Sequence, residues 1–117
     1  MRLAKLATLF ALFMMFAVGF VAAQQPAGKA LLEQARAKKT AGDLQGAAEG
    51  FEKVVADFAA TDRNSAANAL LELGAFSELL GQLSRASDYY SRVRNDFADQ
   101  RAEAASAAER LYRHRKA

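Results

Sequence analysis

From Gly28 onward, apolar positions recur every three or four residues, the spacing that gathers side chains on one face of an α-helix. Ala47, Phe51, Val54 and Phe58 form one such series, and Leu83, Ala86, Tyr90, Val93 and Phe97 form another. The opposite faces carry Glu49–Lys53, Asp88–Arg92 and Glu109–Arg113, each with the acid four residues before the base, the favourable order on a solvated helix. This stretch is rich in alanine and poor in β-branched residues, which favours helix almost throughout. It is interrupted at Ala41-Gly42-Asp43 and Leu80-Gly81-Gln82, where glycine can take the left-handed backbone that ends a helix. Asp43 can then cap the helix that follows. Longer polar breaks lie at Ala60 to Asn64 and Ala98 to Gln100. The pattern predicts five helices, at about 28–41, 44–59, 63–80, 83–97 and 101–115. The fifth is expected to turn Ala104, Ala105, Ala108, Leu111 and Tyr112 inward and to keep Glu103, Arg110 and Arg113 elsewhere.

The first four helices are two copies of one segment. Ala30-Leu31-Leu32-Glu33 returns as Ala69-Leu70-Leu71-Glu72, 39 residues later. At the same offset Gly42 falls on Gly81, Leu44 on Leu83, Ala47 on Ala86, Phe51 on Tyr90 and Val54 on Val93. Asp57-Phe58-Ala59 repeats as Asp96-Phe97-Ala98. A repeat of this length points to stacked helical hairpins, a design that binds other chains more often than it performs chemistry.

The second copy reads Leu70-x2-Leu73-Gly74-x2-Ser77-x3-Gly81-x-Leu83-x2-Ala86-x3-Tyr90-x2-Val93, which resembles a tetratricopeptide repeat. The small residues Gly74 and Ala86 fall where two helices must approach closely, and Tyr90 fills the space between neighbours. There are departures from the family pattern. The aromatic of the first helix is Ser77 here and Lys38 in the first copy, and Gln34-Ala35 replaces Leu-Gly. Ala59 and Ala98 stand in place of the closing proline, and the 39-residue period exceeds the family's roughly 34. Longer spacers resemble the envelope branch of the family, which includes Tol–Pal accessory and outer-membrane assembly proteins. The resemblance implies an all-α fold: two TPR-like antiparallel helical hairpins plus a C-terminal capping helix, in a right-handed α-solenoid. The repeats would span about 29–62 and 68–101, with the capping helix at about 101–115 inside a domain of 29–117.

Residues 1–23 have the layout of a secretory signal: Arg2 and Lys5, an apolar run from Leu6 to Val21, then Val21-Ala22-Ala23 before Gln24. Cleavage after Ala23 would leave a short linker, 24–28, and place the domain in the periplasm or outside the cell. The alternative is an uncleaved inner-membrane anchor, since the apolar run is nearly long enough to span a bilayer. Without Arg2 and Lys5, fourteen Lys and Arg face thirteen Asp and Glu, so the basic isoelectric point gives no support to nucleic-acid binding. The chain has no cysteine, which excludes disulfides, thiolate metal sites and cysteine nucleophiles.

No catalytic, metal-binding or cofactor-binding residues are expected. The one histidine, His114, lies in Arg113-His114-Arg115-Lys116 and reads as a solvated end. The sequence has no glycine-rich phosphate loop and no nucleophile-elbow serine. On the first helix Lys29, Leu32, Arg36 and Lys39 share one face by spacing. The resemblance implies that this face lines a peptide-binding groove, with Asn68, Leu71, Ala75 and Glu78 as equivalents in the second copy. Three cations there would favour an acidic peptide or a C-terminal carboxylate; ordinary surface residues are the alternative. The basic tail from Arg110 to Lys116 can also contact anionic lipid head groups. The expected function is a non-enzymatic protein–protein interaction module, an adaptor or scaffold in a bacterial cell-envelope complex, forming a homo-oligomer if two repeats do not suffice alone. A membrane-tethered scaffold and a helper subunit of an envelope enzyme are the alternatives.

Overall fold

The computed structural model describes residues 27–116. The expected leader, 1–23, and the first part of the linker lie outside the described residues. The described chain is all-helical: α1 (Ala27–Thr40), α2 (Leu44–Phe58), α3 (Arg63–Leu79), α4 (Leu83–Asp96) and α5 (Arg101–Lys116). Every boundary falls within one residue of the periodicity reading. Ala27 and Gly28, expected in the linker, form the first turn of α1. No described helix is long and apolar enough to cross a membrane.

The α1–α2 and α3–α4 turns are built alike. Gly42 and Gly81 both take positive φ, 91° and 74°. In the first turn Gly42 N–H donates to Lys39 O and Asp43 N–H to Lys38 O, at 3.1 and 2.9 Å. In the second, Gly81 N–H donates to Glu78 O and Gln82 N–H to Ser77 O, at 2.9 and 2.8 Å. This paired closure satisfies carbonyls that a helix end otherwise leaves open. Asp43 then caps α2, accepting from Gly46 N–H at 2.9 Å, whereas Gln82 makes no side-chain cap for α4. Asp62 caps α3 through Ser65 N–H at 3.2 Å and also accepts from the Ser65 hydroxyl at 2.7 Å.

Each helix packs on its neighbours in the chain, and α3 also touches α1 and α5, so it meets all four others. The core runs along this helix: Phe51 and Val54 from α2, Leu70 and Leu73 from α3, Tyr90 and Val93 from α4. Buried alanines at 66, 67, 69, 86 and 107 bring the backbones close. At Gly74 the helices meet so closely that an added Cβ would lie 2.7 Å from Tyr90 Cζ. Ser77, in the position where the resemblance wants an aromatic, is buried and donates its hydroxyl to Leu73 O at 2.9 Å.

The corner between α4 and α5 is held from α3. Arg63 Nε donates to Asp99 Oδ2 at 2.8 Å, and one terminal nitrogen reaches both Asp99 Oδ1 and Asp96 O at 2.6 Å. The guanidinium carbon also sits 4.6 Å from the centre of the Phe97 ring. This fork raises the Arg63 pKa and holds the Asp99 carboxyl well below the usual range, both chiefly through the mutual hydrogen bonds.

Three expectations are corrected. On α5 the buried residues are Ala107 and Leu111, while Ala105, Ala108 and Tyr112 are exposed. Arg110 and His114 turn toward α3 instead, because both find Glu78 there. Leu83 lies at the very start of α4, beyond the cover of any neighbour, and is half exposed. Of the three charged helix pairs, Glu109–Arg113 closes at 2.9 Å, and the other two are not ion pairs among the described residues.

Gly74→Ala forces its methyl into a buried ring with no room to yield. It is expected to cost about 1–3 kcal/mol, as overpacking of a filled core does, read as a lower urea midpoint with an unchanged slope.

Candidate functional site

Helices α1, α3 and α5 share one face of the molecule, and two depressions open on it. The larger, about 440 Å³, lies between α1 and the start of α3 and is lined by Lys29, Leu32, Arg36, Asp62 and Asn68 among others. The second, about 210 Å³, lies between α3 and α5, with Arg36, Lys39, Leu71, Ala75, Tyr90, Ser106 and Arg110 in its walls. Of the eight residues expected in a groove, Arg36, Lys39, Asn68, Leu71 and Ala75 therefore converge on one cavity, and Lys29 stands exposed at the edge of the other. Leu32 is corrected: it reaches the floor of the larger depression but is 4 % exposed and belongs to the core. Leu32 and Arg36 share a side of α1 by spacing, but Leu32 is covered by the core while Arg36 is partly exposed. Glu78 is corrected as well, since its carboxylate turns away to α5.

Two of the three cations, Arg36 and Lys39, are ion-paired, and Lys29 makes no ion pair among the described residues. Glu72, whose side chain is 18 % exposed, takes Lys39 Nζ on one oxygen at 2.8 Å and Arg36 Nε on the other at 3.4 Å. Arg36 also reaches Glu33 at 3.2 Å and Asn68 at 3.4 Å. The ladder continues onto α5, where Glu103 accepts from Asn64 at 2.9 Å and from Asn68 at 3.0 Å. The face is thus polar, hydrogen-bonded and close to neutral, with Leu71 and Ala75 as its apolar strip. Sequence reasoning missed Glu72, although it lies four residues after Asn68 and three before Ala75, on the same helix face. Tyr90, Ser106 and Arg110 had no such signal, because only packing brings α4 and α5 to this cavity.

A second cluster joins α3, α4 and α5. Glu78 receives Arg110 on Oε2 at 3.3 Å and His114 Nε2 on Oε1 at 3.1 Å. A carboxylate only accepts, so Nε2 donates to Glu78, and Nδ1 lies 3.1 Å from the Ser87 hydroxyl. The His114 side chain is 18 % exposed and lies 5.8 Å from the Tyr90 ring, so the residue read as a solvated end is an anchor. The buried Tyr90 hydroxyl lies beside Glu78 and Arg110 yet makes no hydrogen bond of standard geometry with any described group. Burial, then the neighbouring carboxylate, push its pKa up. Burial alone would raise the Glu78 pKa; the Tyr90 hydroxyl, Arg110 and His114 outweigh that and hold it below its ordinary value.

Hydroxyl, imidazole and carboxylate stand here in the order of a nucleophilic relay. Neither depression reaches Ser87 or His114, and Arg110 is paired with Glu78. What the cluster does is clasp α5 onto the stack. No group of three or more potential ligands for a metal ion occurs among the described residues. Comparison with protein-family models, curated proteins and solved structures finds no match to this chain.

Because the folded-state pKa of Glu78 is depressed, its stabilising contribution is full above its ordinary value of 4.5 and is lost as pH falls through the lower folded value. Glu78→Gln is therefore expected to destabilise the domain by about 1–3 kcal/mol at neutral pH, as for a part-buried carboxylate losing charged partners. The variant should also show a shallower acid limb in Tm against pH than the parent chain.

Proposed function

We propose that this chain is a non-enzymatic protein-binding module of tetratricopeptide type, exported to the bacterial envelope, where it serves as an adaptor or scaffold. On this reading α1–α2 and α3–α4 are two repeats of a right-handed solenoid, and α5 caps the open end. Support comes from the 39-residue internal repeat, the identical closure of the two intra-hairpin turns, and the leader-like segment 1–23. The observation that carries the binding role is the cavity between α3 and α5, which presents an apolar strip, Leu71 and Ala75, between rows of hydrogen-bonding groups.

Such a surface fits an extended peptide that places one apolar side chain on the strip and its backbone or polar groups against Asn68, Ser106 and Arg110. The expectation of a strongly acidic ligand is tempered by Glu72 and Glu33, which already pair with Arg36 and Lys39. A face of mixed donors and acceptors selects by hydrogen-bond pattern more than by net charge.

In-cell photo-crosslinking separates this face from the rest of the surface. A crosslinker at Ala75 is expected to capture one discrete protein, and the same group at exposed Arg92 on α4 is expected not to. Leu71→Glu should lower that capture at least tenfold while leaving the melting temperature within a few degrees, because Leu71 is half-buried. Equal capture at both positions, or capture of this chain alone, would remove the adaptor reading.

A further inference from the structure

The five helices run alternately up and down, so their ends sort onto two rims. One rim gathers the last turns of α1, α3 and α5 with the first turns of α2 and α4: Lys39, Leu44 and Leu79 line one cavity there, and Glu78 meets His114. The opposite rim joins Lys29 to Asp62 across a cavity and Arg63 to Asp99. These rims differ in both polarity and charge.

Exposed large apolar side chains concentrate on the first rim. Leu79, Leu80 and Leu83 are 71, 55 and 50 % exposed around one turn, and Leu44, 38 % exposed, sits at the equivalent turn of the first repeat. Tyr112, also exposed, lies one helical turn below on α5. This rim carries Lys38, Lys39, Arg85, Arg113, Arg115 and Lys116; Lys39, Arg85 and Arg113 pair with Glu72, Glu52 and Glu109, whereas Lys38, Arg115 and Lys116 make no ion pair among the described residues. Glu78 is consumed by the clasp on α5. The opposite rim is the reverse: Lys29, Arg63, Arg94 and Arg101 are outnumbered by Asp57, Asp62, Asp96, Asp99 and Glu103.

We propose that the leucine-bearing rim docks on an anionic lipid surface. Leu44, Leu79, Leu80 and Leu83 would enter the interface, with the lysines and arginines at head-group level and Tyr112 at its edge. Charge complementarity chooses this occupant, since an anionic bilayer attracts each juxtaposed Lys or Arg. The layout separates it from a protein partner. The core of a protein interface is depleted of charge, whereas here Lys38 and Lys39 precede Leu44 at one turn and Arg85 follows Leu79, Leu80 and Leu83 at the other, a mixture of the kind interfacial anchoring uses. The docking rim adjoins the α1–α3–α5 face, because Lys39 lines the peptide cavity and also stands on the rim, so a bound peptide and a bound membrane would meet at that residue. It depends on neither the peptide reading nor the fate of residues 1–23.

The chain has no cysteine, so a single environment-sensitive dye can be placed on either rim, at Gln82→Cys or at Asn95→Cys. The full chain is mixed with phosphatidylcholine vesicles, with or without about one third phosphatidylglycerol, a content that sets an appreciable surface potential. The expected result is a blue shift at position 82 with the anionic vesicles and none at position 95. Leu79→Ser with Leu80→Ser should weaken that response at least tenfold, and Arg115→Gln with Lys116→Gln severalfold. Circular dichroism confirms that these exposed substitutions leave the fold intact. An equal response at both positions overturns the proposal in favour of insertion through another segment. A shift at position 82 that grows with protein concentration in the absence of lipid overturns it in favour of a second copy on this rim. No shift with either vesicle overturns it outright.

Discussion

The seating of Tyr90 is the contact on which the second half of the molecule depends. Its ring lies against the bare backbone of Gly74 on α3, its edge meets His114 on α5 at 5.8 Å, and Arg110 stands 5.9 Å from its centroid. One side chain of α4 thus touches both helices that flank it. The fifth helix buries only Ala107 and Leu111 as apolar anchors. The clasp of Glu78 with Arg110 and His114 adds polar contacts to these two anchors, and Tyr90 packs between α3 and α5 beside it.

The two copies of the repeat share a backbone and differ in how they let their helices meet. In the second, glycine is on the first helix, Gly74, and faces an aromatic ring. In the first, Ala35 occupies the place of Gly74, and the glycine has moved across the interface to Gly50, where an added Cβ would come within 2.9 Å of Ala35 Cβ. Position 50 corresponds to Tyr89 in the second copy, a residue half-buried against the core. Each hairpin therefore has a glycine at the contact between its two helices, Gly50 in the first and Gly74 in the second, on opposite helices. The hairpins are equivalent in path but not interchangeable in sequence.

Helix positions were legible from the sequence because their signals are local. Gly42 and Gly81 end helices through their own backbone preference, and the apolar series of α2 and α4 contain few competing residues. The orientation of α5 was not legible for a related reason. Alanine stands at 102, 104, 105, 107 and 108, so its apolar pattern points to several faces at once, and a tertiary ion pair decides among them. The candidate face was half legible. Spacing identifies residues on one side of α1 or α3, but cannot reveal that Glu72 intercepts Arg36 and Lys39, or that His114 is held by a carboxylate 36 residues away. Those are facts of distance between helices, and sequence periodicity carries none of that information.

Both oxygens of Glu72 are occupied, one by Arg36 and one by Lys39, but the two cations are not used up to the same degree. An ammonium carries three N–H donors and a guanidinium five. Lys39 makes one side-chain hydrogen bond here and Arg36 makes three, to Glu33, Asn68 and Glu72. A carboxylate arriving at this face would share these donors with Glu72 and Glu33 and would stand close to both. Its attraction to the cations would be offset by repulsion from the carboxylates already there, and both effects are screened by salt.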